Sequence, residues 1–393
     1  MTSKDTDPEP RTNSNGGEDE RSDPEPRRTK SDGGEPSEAR RTASERGDGS
    51  GGGGGEAILN GLTDSSGVGK ILVGFVVAGV LVYLLGVVAG WGRVINALEQ
   101  AEYKWVAVAC LSSVVGLLAW GRAWQIVLAE LDVEVPYRRL SVTYLAATFA
   151  NYVTPMGQAG GEPFIAYILS KDTEASYEDS LASVVTADLL NLLPFFNFAA
   201  IGLVYILLRT PMSEGVETLA QGLAVMAFGV PALVYVGWRR RKGVEKVVLS
   251  VVRPVTNYTD RITVAGARRR IEEFYRSLER IAEEPRSLLH ALVFSYIGWV
   301  FFAMPLYFSG LALDLPITLV LVLFIVPAST LAGLTPLPGG MAGVEAALVI
   351  LLVALAPIPK GPALAATILY RFASYFFVLG VGGLATFWVI ARS

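Results

Sequence analysis

The chain has 393 residues, of which 51% are hydrophobic, with mean hydropathy +0.42 and formal net charge −4. That balance excludes an ordinary soluble protein and marks an integral membrane protein. A single cysteine, Cys110, and a single histidine, His290, exclude an internal disulfide, a thiolate or imidazole metal cluster and a serine-type triad; no phosphate-binding loop or nucleic-acid motif is present.

Residues 1–56 read as an acidic tail. Residues 1–50 hold 9 Lys+Arg against 13 Asp+Glu, so the tail carries the whole formal excess. It has almost no large apolar residue and ends in the run Gly51 to Gly55. Such a segment cannot bury enough surface to offset chain entropy and is predicted to be disordered. No apolar region follows its first charges, so it does not read as a signal peptide. A solubilising extension is the plain reading, an interaction tail the alternative. An acidic tail also suits the cytoplasm of a halophile.

Residues 57–393 form the membrane domain. A membrane helix needs about 20 apolar residues. The stretches 71–90, 105–128, 180–208, 219–238, 288–309 and 363–391 satisfy this and are predicted to be full spans. Two further apolar regions, 140–170 and 317–356, are longer than one span needs. Each carries near its middle a version of one phrase. The first runs Thr154-Pro155-Met156-Gly157-Gln158-Ala159-Gly160-Gly161-Glu162. The second runs Thr335-Pro336-Leu337-Pro338-Gly339-Gly340-Met341-Ala342-Gly343-Val344-Glu345. Pro and Gly break helices, and a carboxylate is costly in hydrocarbon. A paired, helix-broken, acid-bearing segment points to a transport site between two related halves.

Positive charge sets the sidedness. The loop 239–287 holds 13 Lys+Arg and is assigned to the cytoplasm. Counting crossings back from it, and forward from a cytoplasmic tail, puts both ends of 140–170 inside. Counting onward from the loop puts both ends of 317–356 outside. Both regions are therefore predicted to be re-entrant hairpins of opposite orientation, an inverted repeat within an all-α polytopic protein of the cytoplasmic membrane. Irregular backbone at membrane depth survives only against protein or water, so the two tips should meet near the midplane.

Several polar residues lie in these apolar stretches. Glu162 and Glu345 either cap the helices that follow or act on substrate or proton. Arg371, inside the last span, costs roughly 2.5 to 3.5 kcal/mol there unless it finds an acid or a phosphate. Glu345 or a lipid phosphate is the favoured partner. Asp188 stands about two turns into its span, with Asn191 on the same face. Asn151 precedes the first phrase and reads as a tie for broken backbone. In the basic loop, 264–284 reads as a helix with Ile271, Phe274, Leu278 and Ile281 on one face, either resting on anionic inner-leaflet lipids or acting as a charged connector.

The stretches Asn151 to Tyr167, Pro336 to Glu345 and Ala365 to Tyr375 resemble the flippase-like membrane domain that precedes the synthase part of lysylphosphatidylglycerol synthases, a domain shared by stand-alone prokaryotic membrane proteins. The resemblance covers about 70–391 and implies movement of a polar-headed lipid between leaflets. It departs at Ile165 and Gln158, where the family often carries a basic residue. No soluble synthase domain follows, so aminoacyl transfer is not implied.

The leading expectation is therefore a flippase or lipid-linked sugar translocator, not an enzyme, with no cofactor or metal. Its substrate path would comprise Asn151, Pro155, Gly157, Gly160, Gly161, Glu162, Asp188, Pro336, Gly339, Gly340, Gly343, Glu345 and Arg371. A secondary transporter of a small polar solute fits the inverted repeat equally well. A non-transporting subunit that anchors a lipid or glycan enzyme is the third reading.

Overall fold

The computed structural model describes residues 65–153, 165–166, 169–170, 176–209, 264–333 and 335–391, with isolated positions between 221 and 243. The acidic tail, the first phrase with Pro155, Gly157, Gly160, Gly161 and Glu162, and most of the 219–238 stretch lie outside the described residues.

Every regular element among the described residues is helical. In chain order these are α1 (Ser65–Ala89), α2 (Trp91–Glu99), α3 (Tyr103–Ala129), α4 (Tyr137–Val153), α5 (Tyr177–Arg209), α6 (Val264–Ala282), α7 (Pro285–Ala312), α8 (Leu319–Leu331), α9 (Gly343–Leu355), α10 (Lys360–Arg371) and α11 (Phe377–Ile390). The breaks have local causes. Gly90, at φ 84, turns the chain from α1 into α2. Pro285 opens α7 where its missing N–H costs nothing. The Thr318 hydroxyl accepts from Leu321 N at 3.5 Å to start α8.

Six helical stretches among the described residues are long and apolar enough to cross a membrane. Five coincide with predicted spans; the sixth is Pro338–Leu355, the second limb of region 317–356. That limb does not cross alone. Ile317 and Leu321, at the start of α8, share a buried cluster with Leu352, Ala356 and Ile358, at the end of α9. At the opposite end a Cβ on Gly343 would fall 2.2 Å from Ala332 O. The two helices are thus antiparallel limbs of one hairpin. Each has 13 residues, about 20 Å long at 1.5 Å per residue, against a hydrocarbon core of about 30 Å.

The frame is the pair α3 and α7, antiparallel along their whole length. Glu102 N donates to Ala312 O at 2.9 Å at one end, and the Trp105 and Phe308 rings stack at 6.0 Å. At the middle a Cβ on Gly116 would sit 3.0 Å from Gly298 O. Small residues let two backbones approach where water supplies no hydrophobic drive.

The ends of the molecule fix where each hairpin enters. At one end Arg280 Nη2 meets Asp132 Oδ2 at 2.6 Å, and Ser277 Oγ donates to Asp179 Oδ1 at 2.6 Å. Leu140, Leu169, Val184 and Ile281 share a buried cluster there. Region 140–170 therefore begins and ends at the α6 end. Region 317–356 begins and ends at the other, where Ile317, Ala356, Ile358 and Ala363 pack together.

The sequence offset from Gly116 to Gly298 also relates Trp120 to Phe302, whose rings pack at 5.2 Å. Those pairs mark a pseudo-two-fold axis. Its signature recurs outside the frame. α4 packs on α11, where a Cβ on Gly382 would lie 2.7 Å from Leu145 O, and α8 packs on α5, where a Cβ on Gly202 would lie 2.1 Å from Phe324 Cβ. The amphipathic helices α2 and α6 precede α3 and α7 in corresponding places.

Part of the apolar face of α6 packs against the other helices. Leu278 and Ile281 are buried, and Ile281 packs in the cluster formed with α3 and α5, so this part of the apolar face has protein rather than lipid as its partner. Arg269 and Arg280 are paired with Glu273 and Asp132.

Candidate functional site

The second phrase builds a turn that only a few residue types tolerate. Pro338–Gly340 forms a single 3-10 turn, with Gly339 at φ 56 and Gly340 at φ 64. A Cβ on Gly339 would land 2.0 Å from Tyr375 Cε2, and one on Gly340 would land 2.5 Å from Gly333 Cα. Both positions need glycine for backbone and for space. Ala342 is held at φ 66 and ψ −42, a sparsely populated conformation that costs a side-chain-bearing residue about 1 to 3 kcal/mol. Pro336 is exposed at the edge of the turn.

Glu345 lies in the first turn of α9 and is 4% exposed. Its Oε1 accepts from Arg371 Nε at 2.7 Å, while Oε2 takes no hydrogen bond. The carboxylate thus turns to a cation, at a helix end whose dipole already favours an anion. Arg371 is 8% exposed at the end of α10. Its Nη2 donates to Gly339 O at 3.0 Å, and its Cζ stands 4.4 Å from the Tyr375 ring centroid. Carboxylate, carbonyl and ring face together replace the hydration that the guanidinium loses. Glu345 is one of the two partners that the sequence favoured for Arg371, the other being a lipid phosphate.

The residues after Arg371 form a π-turn, Phe372–Phe376, before the helix resumes as α11. Such widened turns are rare and recur at functional sites. Here it carries Tyr375 beneath Arg371. The Tyr375 hydroxyl donates to Tyr152 O at 3.0 Å, the two rings stack at 4.9 Å, and the Tyr152 hydroxyl donates to Ser374 O at 3.4 Å. Tyr152 stands near the end of α4, just before the first phrase. Tyr375 therefore touches the turn of the second hairpin and the last described residues of the first.

Polar atoms gather here without partners. Asn151 Oδ1, Thr335 Oγ1, Glu345 Oε2 and Ser374 Oγ are buried and accept or donate no hydrogen bond. Native interiors leave few such groups. The place where the end of α4, the second turn and the π-turn come together thus holds polar atoms able to bind water.

The other sequence candidates divide. Gly339, Gly340, Gly343, Glu345 and Arg371 come together, with Asn151 near Tyr152. Asp188 is half-buried on α5, in the other half. The offset of 183 that relates Glu162 to Glu345 carries Asp188 onto Arg371, so the repeat places an acid where its twin places a base. Near Asp188, Asn191 O accepts from Trp299 Nε1 at 2.9 Å, and Asn191 Oδ1 accepts from the Ser295 hydroxyl. Pro194 interrupts the α5 hydrogen bonds at nearly the point where the π-turn interrupts its counterpart.

Sequence reasoning gave no role to Tyr152, Tyr375 or the π-turn. An aromatic in an apolar span carries no sign of a hydroxyl reaching another helix. The one available signal was Tyr375 at four residues from Arg371, one helical turn away.

Long apolar helices, with hairpins entering from opposite ends around a buried ion pair, define a multi-pass membrane protein built as an inverted repeat. Residues 71–382 match the family described as the lysylphosphatidylglycerol synthase TM region, and the chain belongs to that family. It is similar to two proteins of Methanothermobacter thermautotrophicus named UPF0104 membrane protein. One is 25% identical over 317 residues, covering 77% of this chain and 93% of the relative. The other is 26% identical over 317 residues, covering 78% and 89%. A UPF0104 membrane protein of Pyrococcus horikoshii is 24% identical over 313 residues, covering 75% and 90%. All three are archaeal, and their names state a membrane location without an activity.

Proposed function

We propose that this protein translocates a phosphate-bearing lipid, a phospholipid or a lipid-linked sugar, between the leaflets of its membrane. The observation that carries the reading is the buried Arg371–Glu345 pair at the turn of the second hairpin, with the unpartnered Asn151 Oδ1, Thr335 Oγ1 and Ser374 Oγ nearby. A phosphate presents the same acceptor chemistry as the Glu345 carboxylate and can replace it on the guanidinium. Arg371 would then exchange partners as a headgroup passes, with Gly339 O and the Tyr375 ring holding the cation in place. The unpartnered oxygens would take headgroup hydroxyls or amines, and the tails would stay in the bilayer. No step of this route makes or breaks a covalent bond, so the protein is read as a transporter and not an enzyme. Each half supplies one hairpin, and rocking of the halves about the α3/α7 frame would expose the site to alternate sides.

The test is purified protein in liposomes that contain a headgroup-labelled phospholipid, with a quencher confined to one leaflet. Translocation that falls at least tenfold in Arg371→Gln, with the variant still folded, is the expected result. Wild-type protein that moves no phosphate-headgroup lipid yet takes up a water-soluble solute would overturn the reading in favour of a solute transporter.

A further inference from the structure

Helix α1 differs from the other candidate spans among the described residues. Only 11% of its apolar window, Ile71–Ala89, is buried against the protein, compared with 56% for α3 and 33% for α5 and α7. Leu72, Val73, Val76, Val80, Leu84 and Val88 are all exposed on it. It also falls outside the repeat pairing of α3 with α7. Yet it is the element that covers the turn of the second hairpin. A Cβ on Gly74 would meet Pro338 Cδ at 2.9 Å, and Ala78 is fully buried in a small cluster with Met341 and Tyr375, with Phe75, Tyr152 and Leu337 against it.

The two ends of α1 are held unequally. Its C-terminal end is fastened. Ala89 packs with Val94, Leu364 and Ala365, Arg93 Nη2 donates to Ala89 O at 2.8 Å, and Trp91 Nε1 donates to Tyr83 O at 3.2 Å. A Cβ on Gly361 would lie 2.7 Å from Arg93 Cβ, so α2 is wedged against α10. Gly90, at φ 84, supplies a bend at that fixed end. Toward its other end, among the described residues, α1 meets the hairpin turn through the glycine at 74, the alanine at 78 and the ring of Phe75. These are contacts of small groups and one ring, and apolar stabilisation scales at about 25 cal/mol per Å² of surface buried.

We infer that the seam between α1 and the 335–341 turn is a lateral binding site for a lipid tail, opened when α1 swings about Gly90. The inference rests on the proposed lipid substrate and names where that substrate enters. The occupant is an acyl or isoprenoid chain, because the exposed face of α1 is apolar along its length and runs without a polar break into the seam lined by Phe75, Leu337 and Met341. A tail lying there sets its phosphate beside Arg371, which reaches Gly339 of the same turn. The hydrocarbon thus replaces α1 contacts with like contacts, and the charged group alone must find new partners.

The test uses the full chain with Cys110→Ser, which removes its one thiol. Phe75→Cys with Leu337→Cys places a pair across the seam; Ala89→Cys with Leu364→Cys places one at the fixed end. Each is closed with a short thiol-bridging reagent that a reductant cleaves. The protein is reconstituted in phosphatidylcholine vesicles doped with phosphatidylglycerol bearing a diazirine near the end of one tail. Photolabelling of the 335–341 peptide should fall at least tenfold when the seam pair is bridged, return on reduction, and stay unchanged when the fixed-end pair is bridged. Labelling that persists with the seam bridged overturns the inference. Headgroup translocation is read in the same vesicles. Translocation that continues with the seam bridged overturns the lateral site and leaves the proposed function standing. Bridge-sensitive labelling with no translocation does the reverse.

Discussion

Removing one member of the Glu345–Arg371 pair should cost more than removing both. Arg371 and Glu345 are 8% and 4% exposed and meet at 2.7 Å. Either alone would be a nearly dry charge. In Glu345→Leu the guanidinium keeps Gly339 O and the Tyr375 ring but loses its counter-charge. In Arg371→Leu the carboxylate loses its hydrogen-bond donor. Breaking a buried pair in this way costs about 3 to 5 kcal/mol, whereas replacing both members by apolar residues is often neutral. The double variant should therefore lie above either single one in stability, which makes the coupling energy larger than either single loss, about 3 kcal/mol or more. Reversible unfolding in mixed micelles of the four proteins measures this cycle. Coupling below about 0.5 kcal/mol, the range seen for independent sites, would refute the claim that the pair holds the turn. Glu345→Gln separates charge from shape: its amide oxygen can still accept from Arg371 Nε, so it should fall between wild type and Glu345→Leu.

Other outcomes follow from single contacts. Gly339→Ala should destabilise by about 2 kcal/mol or more, because its Cβ meets Tyr375 at 2.0 Å and its φ is positive; Tyr375→Leu in the same chain should recover part of that loss in the same unfolding assay. Tyr375→Phe removes the hydrogen bond to Tyr152 O while keeping the ring, a loss of about 0.5 to 1.5 kcal/mol, and should speed amide exchange at the end of α4 more than in α9. Gly298→Val should disrupt the α3/α7 frame, since even a Cβ there lies 2.3 Å from Trp120 Nε1, and should lower the yield of folded protein more than Gly92→Val, where nothing lies within 4 Å. Single thiols at Asp132 and Leu315 should react with impermeant reagents from opposite sides of the membrane. Reaction from the same side would contradict the antiparallel placement of the helix ends.

Much of this architecture was legible in the sequence because hydrocarbon is a strict solvent. The span predicted at 105–128 is Tyr103–Ala129, the one at 288–309 is Pro285–Ala312, and the helix read at 264–284 is Val264–Ala282. The re-entry of region 317–356 was expected from counting crossings, and the structure folds that region into two antiparallel helices of 13 residues each. The pairing of Arg371 with Glu345 followed from the cost of a lone cation. What stayed illegible depended on packing. Helix α2, between the spans predicted at 71–90 and 105–128, has nine residues, too few for a span, and its apolar residues need the α10 surface to be buried. The π-turn leaves no mark in composition. Part of the apolar face of α6 fits a membrane surface or a protein surface equally well on paper, and only the contacts of Leu278 and Ile281 decide between them.

Asp188 and Arg371 stand at matching stations of a fold that reads alike from either end. A body with that symmetry, and equal charges at both stations, would work the same way upside down. If the proposed lipid path runs past both stations, the unequal pair would give the molecule a sense of direction, offering an acid to one leaflet and a base to the other. Swapping the two residues, Asp188→Arg with Arg371→Asp, is thus a way to ask whether a compass needle can be turned while its housing stays fixed.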